Sequence, residues 1–417
     1  MSNIHGLKGT QDYWPQQTAL WQHIEKIMIH TVSQWGYNEV RTPIIEPESV
    51  FIKMGQDTDV IGKQMYRIAH DKEAIVLRPE GTSSVVRSGL EHHMITRSHA
   101  KVWYMGPMFR HERPQKGRLR QFHQCGGEAF GYGSTSMDVD MLDMLITLME
   151  RLGVAHLVQL EINTLGSVAS RTRYKQALVD YLTPLYDKLD EDSQRRLSTN
   201  PLRIFDSKSP TTQELMMHAP LLHDYLHEEE LQRHQDICQQ LDALGHTYTI
   251  NPRLVRGLDY YNDLVFEFTT TSLGAQGTLC AGGRFDHLTA QWGYAAIPAI
   301  GFSIGMERIL ALLENIPPTI QHPKPIIAFT SVAEAHIPML QLLHGIRHYY
   351  DGPVHYDVAD TQFKNKYTRA LKSDPLAIIT IEQAQYTAGT CSLRIPHRMP
   401  QDIARDAQEI MHICLTL

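Results

Sequence analysis

Three arginines stand in apolar, glycine-bearing surroundings: Arg110 in the run FRHERPQKGRLRQFHQCGGEAFG (109–131), Arg256 in LVRGLDYYN, and Arg308 in GFSIGMERIL. A guanidinium in such a context calls for an anion, because an unmatched buried charge is expensive. Its planar fork donates two parallel hydrogen bonds, which suits phosphate oxygens. Any one of the three is explained as well by a structural ion pair. All three together point to a phosphate-bearing ligand. Glu80 in LRPEGT, with Gln124 and Glu128 on either side of Gly126, supplies complementary chemistry. On a strand, residues 124, 126 and 128 share one face, and the small residue between leaves room for a ligand. A carboxylate there accepts hydrogen bonds from an ammonium or an imidazole N–H; a salt bridge from Glu128 to a neighbouring arginine is the equal alternative. Tyr260 and Tyr261 add phenols near Arg256.

Other phosphate-holding devices are missing. Gly62-Lys63 is followed by Gln64, and Asp57 stands where a P-loop needs its first glycine. No G-x-G-x-x-G leads from a strand into a helix. The nucleotide expectation therefore rests on arginines that project from a sheet. His223 and His227, four apart on an expected helix, have no accompanying H-E-x-x-H, so no metal site is expected. With a net charge of -7, any nucleic-acid surface must be a local patch. The five cysteines (125, 238, 280, 391, 414) are dispersed and never form C-x-x-C, which fits structural thiols and a cytoplasmic setting. MSNIHGLKGTQDYWP lacks the apolar core of a signal peptide, and no apolar run of about 18 residues is present, so no membrane association is expected.

The elements that must position these residues follow from periodicity. Residues 16–36 have helical spacing and end at Gly36. A short strand follows, broken by Pro43 and Pro47. Strands are expected at 75–78, 102–108 and 121–130, with the basic loop between the last two, and a helix at 137–152. From about 167 to 245 the chain is polar and helical, an insertion the sheet does not need. Strands return at 248–254, 264–270 and 277–281, and a helix at 305–313 bears Arg308. Its glycines, Gly301 and Gly305, are expected to permit tight helix packing. ENIPPTIQHPKP (314–325) holds four prolines and reads as a linker. Beyond it strands at 326–331, 354–358 and 377–381 alternate with helices at 335–350, 362–372 and from about 401, which describes a small α/β domain.

These segments resemble the class II aminoacyl-tRNA synthetases, and among them the histidyl-tRNA synthetase family, over nearly the whole chain. GLKGTQDYWP is similar to the family's N-terminal element. GYNEVRTPIIEP resembles class motif 1, FRHERPQKGRLRQF motif 2 and AIGFSIGMERIL motif 3. LVRGLDYYNDLVFEF and CAGGRFDHL resemble the two segments peculiar to the histidine enzymes. The resemblance implies an α+β fold: a class II catalytic domain with an antiparallel sheet over 1–322, a helical insertion at about 167–245, and an α/β anticodon-binding-like domain over 323–417. It implies an ATP-dependent activation of L-histidine to histidyl-adenylate, with Mg2+ on the phosphates, and transfer to the 3′ end of tRNA(His) by a homodimer. By similarity, Arg110 and Arg256 would flank the α-phosphate and Arg308 would hold the γ-phosphate, all three as catalytic residues. Glu112 would join them at ATP. Glu80, Thr82 and Gln124 would take the α-amino end of histidine, while Glu128, Tyr260 and Tyr261 would face the imidazole. Gln115, Lys116 and Arg118 would reach the tRNA acceptor end. A histidine-sensing regulatory paralogue that shares the catalytic fold is the competing expectation; such chains lack the anticodon domain and lose the arginines, both of which this chain has.

Overall fold

Strands are written into this chain by alternation, and in chain order they are β1 (Asn38–Glu39), β2 (Ile45–Pro47), β3 (Tyr66–Ile68), β4 (Ile75–Leu77), β5 (Ala100–Phe109), β6 (Gln121–Phe130), β7 (Gln159–Thr164), β8 (Thr249–Ile250), β9 (Asn262–Thr269), β10 (Thr278–Arg284), β11 (Ala299–Gly305), β12 (Ile326–Thr330), β13 (Val354–Tyr356), β14 (Ala377–Ile381), β15 (Thr390–Arg394) and β16 (Gln401–Ala404). The computed structural model describes residues 4–53, 59–70, 73–115, 117–256, 260–274, 277–320, 323–359 and 361–416. Two units divide the chain, Met1–Pro318 and Thr319–Leu417.

In the first unit an eight-stranded sheet runs in the order β1-β5-β6-β11-β10-β9-β7-β8. Its central pairs are antiparallel, and only the outer pairs β1–β5 and β7–β8 are parallel. This is the mixed α+β, largely antiparallel architecture expected from the sequence. Helices Pro15–Gln34, Thr135–Arg151, Glu228–Ala243 and Met306–Leu313 contribute Ile24, Met141, Ile237 and Ile309 to one core with the sheet residues Cys125, Ala129, Ile300 and Ile304. Covering that face leaves the alternate residues of the same strands for the site. Between β7 and β8 lies the helical stretch, from helix Val168–Leu182 to helix Glu228–Ala243.

Several local expectations are corrected. Gly301 and Gly305 lie on β11, not on a helix; the spacing of four mimics a helical small-residue face. The apolar residues Ile300, Phe302 and Ile304 alternate, and the strand period wins. Of the strand expected at 248–254, only Thr249–Ile250 pairs. His223 sits in a short 3-10 turn, Leu222–Tyr225, and His227 immediately precedes helix Glu228–Ala243, so the two are not on one helix.

The second unit is a five-stranded sheet, β13-β12-β14-β15-β16, parallel across the first three strands and antiparallel beyond. Helices His336–Tyr349 and Ala407–Leu415 share its main core, through Met339, Leu343, Ile410 and Met411. Phe363, Tyr367 and Ala370, from helix Phe363–Lys372, pack with Phe329 and Ile378 in a separate cluster. The helix expected from about 401 starts later. Residues 401–404 pair with β15, and Asp406 then caps the helix by accepting from Glu409 N.

Candidate active site

Register places the polar residues of β6 opposite small ones. Glu128 pairs with Val102 on one side and Gly301 on the other; Gly126 lies between Tyr104 and Ser303; Gln124 lies between Gly106 and Gly305. Of these, Tyr104, Gln124, Glu128, Gly301, Ser303 and Gly305, with Glu80, Thr82, Arg110, Phe122, Arg256, Tyr260, Tyr261, Cys280 and Arg308, line one cavity of about 420 Å³. Glycine at 301 is a steric requirement, because a Cβ there would run into the Glu128 carboxylate.

One end of the cavity is acidic and closed. Glu80 accepts from the backbone N–H groups of Thr82 and Ser83, both at 2.8 Å, at the start of helix Thr82–Glu91. That helix N-terminus, a ready anion site, is thus filled by the chain's own carboxylate. Thr82 Oγ1 donates to Glu128 Oε1 at 2.7 Å. Glu128 Oε2 and Gln124 Oε1 are buried without a protein partner, as is Ser303 Oγ. Burial, with Glu80 as a neighbouring like charge, pushes the Glu128 carboxyl well above its ordinary range, against the Thr82 hydrogen bond. Burial raises Glu80 too, opposed by its backbone donors. The Tyr260 and Tyr261 rings lie 4.5 Å apart, with hydroxyls at 3.5 Å.

The other end is cationic. Arg110 donates from Nε to Pro79 O at 2.9 Å, and its guanidinium lies 5.1 Å from the Phe122 ring centre. Among the described residues it forms no ion pair. Arg118 pairs with Glu112. Arg308 donates to the carbonyls of Thr278 and Gly117, the latter at 3.3 Å. Burial first, then the like charges of Arg110 and Arg118, hold the Arg308 guanidinium below its usual range. Arg256 pairs with Glu267 of β9, and its guanidinium stands 5.5 Å from the Tyr261 ring centre; its Nε is buried without a partner. Arg256 is raised despite its burial, through Tyr261 and Glu267. The crowded guanidinium groups Arg110, Arg118 and Arg308 suit a polyanion, and the acidic end suits a donor-rich, cationic one.

The structure therefore brings Glu80, Thr82, Arg110, Glu112, Arg118, Gln124, Glu128, Arg256, Tyr260, Tyr261 and Arg308 to one cavity. Gln115 pairs with Arg118 in the 115–118 turn and is not part of the lining. Lys116 and Gly257 lie outside the described residues. Several contributors are not announced by the sequence, four of them phenolic or charged. Tyr104 looks like ordinary strand filler. Glu307 holds His123 through its backbone N–H and ring at 2.9 Å. Glu267 is a carboxylate inside the apolar strand LVFEF, a signal the pattern did contain. Lys208 enters from the inserted helical segment, with no motif to announce it.

Beside the cavity lies a buried ionic group of a different kind. Arg284 of β10 donates to Asp138 at 2.5 Å, Asp286 at 2.9 Å and Tyr132 O at 2.8 Å. Asp138 also accepts from Arg233 at 2.7 Å. Asp286 N donates to Asn262 Oδ1 at 2.8 Å, directly after the two tyrosines.

A family model described as histidyl-tRNA synthetase matches residues 9–309. The structure is similar to the apo histidyl-tRNA synthetase of S. aureus, at 30% identity and a TM-score of 0.81, covering 99% of this chain and 100% of that one. It shares its fold with the histidyl-tRNA synthetase of Nostoc, at 18% identity and TM-score 0.68, over 99% of this chain and 100% of that one. It also shares it with a Bacillus halodurans protein described as an ATP phosphoribosyltransferase regulatory subunit/histidyl-tRNA synthetase, at 20% identity and TM-score 0.65, over 91% and 98%. Among the described residues no helix is long and apolar enough to cross a membrane. With a family model spanning most of the first unit and an end-to-end likeness at 30% identity, the chain belongs to the histidyl-tRNA synthetase family.

Proposed function

We propose that this chain activates L-histidine with ATP and transfers it to the 3′ end of tRNA(His). One observation carries the reading: a single cavity joins unmatched buried acceptors, Glu128 Oε2 and Gln124 Oε1, to a cluster of guanidinium groups. Histidine supplies an ammonium and ring N–H donors for the first, and ATP a triphosphate for the second. In this reading Glu80, Thr82 and Gln124 hold the α-amino end, and Glu128 with Tyr260 and Tyr261 faces the imidazole. A site built around paired ring nitrogens rejects apolar isosteres by about 10⁴ or more, because its buried polar groups would be left unpaired.

Arg110 and Arg256 stabilise charge at the α-phosphate as the histidine carboxylate oxygen bonds to phosphorus and pyrophosphate leaves. Arg308 holds the γ-phosphate, and Glu112 keeps Arg118 oriented beside the nucleotide. A ribose hydroxyl of the terminal adenosine then attacks the histidyl carbonyl, loses its proton, and AMP leaves. Among the described residues no three His, Cys, Asp or Glu side chains converge as a metal-ligating group, while the carboxylates Glu112 and Glu307 line the cavity and offer the hard oxygen donors magnesium takes. Glu112 and Glu307 would hold Mg2+ bound to the nucleotide, and the ion would neutralise phosphate charge there. The turn at Gln115, Lys116 and Arg118 meets the acceptor end. Residues 1–322 act as the catalytic domain and 323–417 as the anticodon-reading one. The chain works as a cytoplasmic homodimer through the 36–47 segment.

Histidine-dependent ATP–pyrophosphate exchange without tRNA tests the reading, with Arg256→Ala as control. Exchange that requires histidine and falls about 10²–10³-fold in the variant supports it. A folded chain that binds histidine without exchange would replace it with a histidine-sensing regulatory role.

A further inference from the structure

The segment from Leu254 to Asp263 brings Arg256, Tyr260 and Tyr261 to the cavity, but it joins the sheet only from Asn262 onward. Backbone groups ahead of β9 must find partners elsewhere. Two of its carbonyls ahead of the strand are held by side chains: Asn163 Nδ2, on β7, donates to Leu254 O at 3.0 Å, and Arg171 Nη1 donates to Tyr261 O. Leu165 N donates to Asp263 O at 2.7 Å, which continues the β7–β9 ladder.

Arg171 lies in the first turn of helix Val168–Leu182, where a cation opposes the helix dipole. Its position there is unfavourable for the helix and is offset by what the side chain reaches. The turn that presents it is fixed on several sides. Ser167 Oγ accepts from Ser170 N at 3.2 Å. Glu230 accepts from Ser167 N, Ser170 Oγ and His227 N, each at 2.7 Å. Arg171 thus extends from a rigid platform in the inserted helical segment. Arg256 has a separate support, its ion pair with Glu267 on β9.

We propose that Arg171 is a positioning residue that sets Tyr260 and Tyr261 against the side chain of the amino-acid substrate, while Arg256, which touches the Tyr261 ring, is held chiefly by its ion pair with the sheet. The inference deepens the functional reading above and rests on it. The two supports predict a split between substrates. Loss of Arg171 moves the tyrosines more than the phosphate-facing guanidinium, which Glu267 still holds.

The test is exchange kinetics on the full chain. Wild-type exchange is measured first. Arg171→Ala is expected to raise KM for histidine by about 10- to 100-fold, with KM for ATP changed by no more than about twofold. Arg171→Lys, which restores a donor to the carbonyl, is expected to recover a large part of the loss. Thermal unfolding of each variant checks that it folds; if the alanine variant does not, the lysine and Arg171→Gln variants report the same split on a smaller scale. Equal rises in both KM values, or a fall in kcat with both KM values unchanged, would overturn the proposal. So would a lysine variant no better than alanine. If the wild-type chain shows no exchange, the functional reading has failed, and calorimetric titration with histidine tests the positioning role directly: weaker binding by Arg171→Ala upholds it, and unchanged binding sinks it.

Discussion

Two buried charged groups sit within the same sheet and are built in opposite ways. Arg284 on β10 is fully enclosed, yet Asp138, Asp286 and a backbone carbonyl meet its donors. Glu128 on β6 is equally enclosed, yet one carboxylate oxygen meets nothing. Burial pushes the carboxyl in both groups upward. Asp138 reaches only about 6, because Arg284 and Arg233 oppose the effect of burial. Glu128 has no cation to do so and rises well above its range. Buried charge alone does not mark a binding site. An enclosed charge whose partner is missing does, because the fold has accepted an unfavourable group that a ligand can complete.

The sharpest way to break this contrast is to substitute both. Glu128→Gln should lower histidine-dependent exchange by about 10²–10³-fold, the scale for a lost charge-directed contact in a closed site, while leaving the folded chain no less stable. Arg284→Ala should do the reverse in kind: removing one partner from a buried pair destabilises by about 3–5 kcal/mol, read by denaturant unfolding, with activity lost only through the folded fraction. If Glu128→Gln unfolds the chain and Arg284→Ala does not, the contrast is wrong.

A subtler effect concerns pH. The Glu128 carboxyl is raised in the folded chain above its ordinary 4.5. Its contribution to stability is therefore present below 4.5 and lost as pH rises through the folded value. Above that value Glu128→Gln should melt higher than wild type, and below 4.5 the two should converge. Ligand binding has the opposite sign, because the imidazole N–H favours the ionised carboxylate. Wild-type histidine affinity should gain on the variant as pH rises through the free-chain value, read as the difference between two titration series so that histidine's own ionisation cancels. The smallest expected effect is at Glu307→Gln. It keeps one acceptor for His123 and should change exchange by about tenfold or less, the net worth of one ordinary hydrogen bond.

The same contrast explains what the sequence disclosed. Gln124, Gly126 and Glu128 were legible because period-two alternation on β6 puts them on one face whatever the tertiary context. Arg110, Arg256 and Arg308 were legible because a guanidinium among glycines and apolar residues is out of place. The support of Arg256 was harder. Glu267 is separated from it by eleven positions, and only the fold brings them together. Arg171 and Lys208 were invisible, since nothing in a polar helical stretch says which cation will meet the cavity. The difference at β11 has the same root: a glycine spacing of four suits a helical packing face, but Gly301 is small because a side chain from the adjacent strand occupies its place.

That last arrangement ties two distant positions into a single heritable unit. Glu128 and Gly301 are register partners, and the carboxylate fills the volume a side chain at 301 would take. Neither position can drift alone. A larger residue at 301 evicts the acid before any change at 128 is made, and a smaller residue at 128 opens a void that stays open while 301 is glycine. Among related chains the glycine should thus track the acid, so that loss of the pair is expected to come as one event and to mark lineages that have abandoned this ligand.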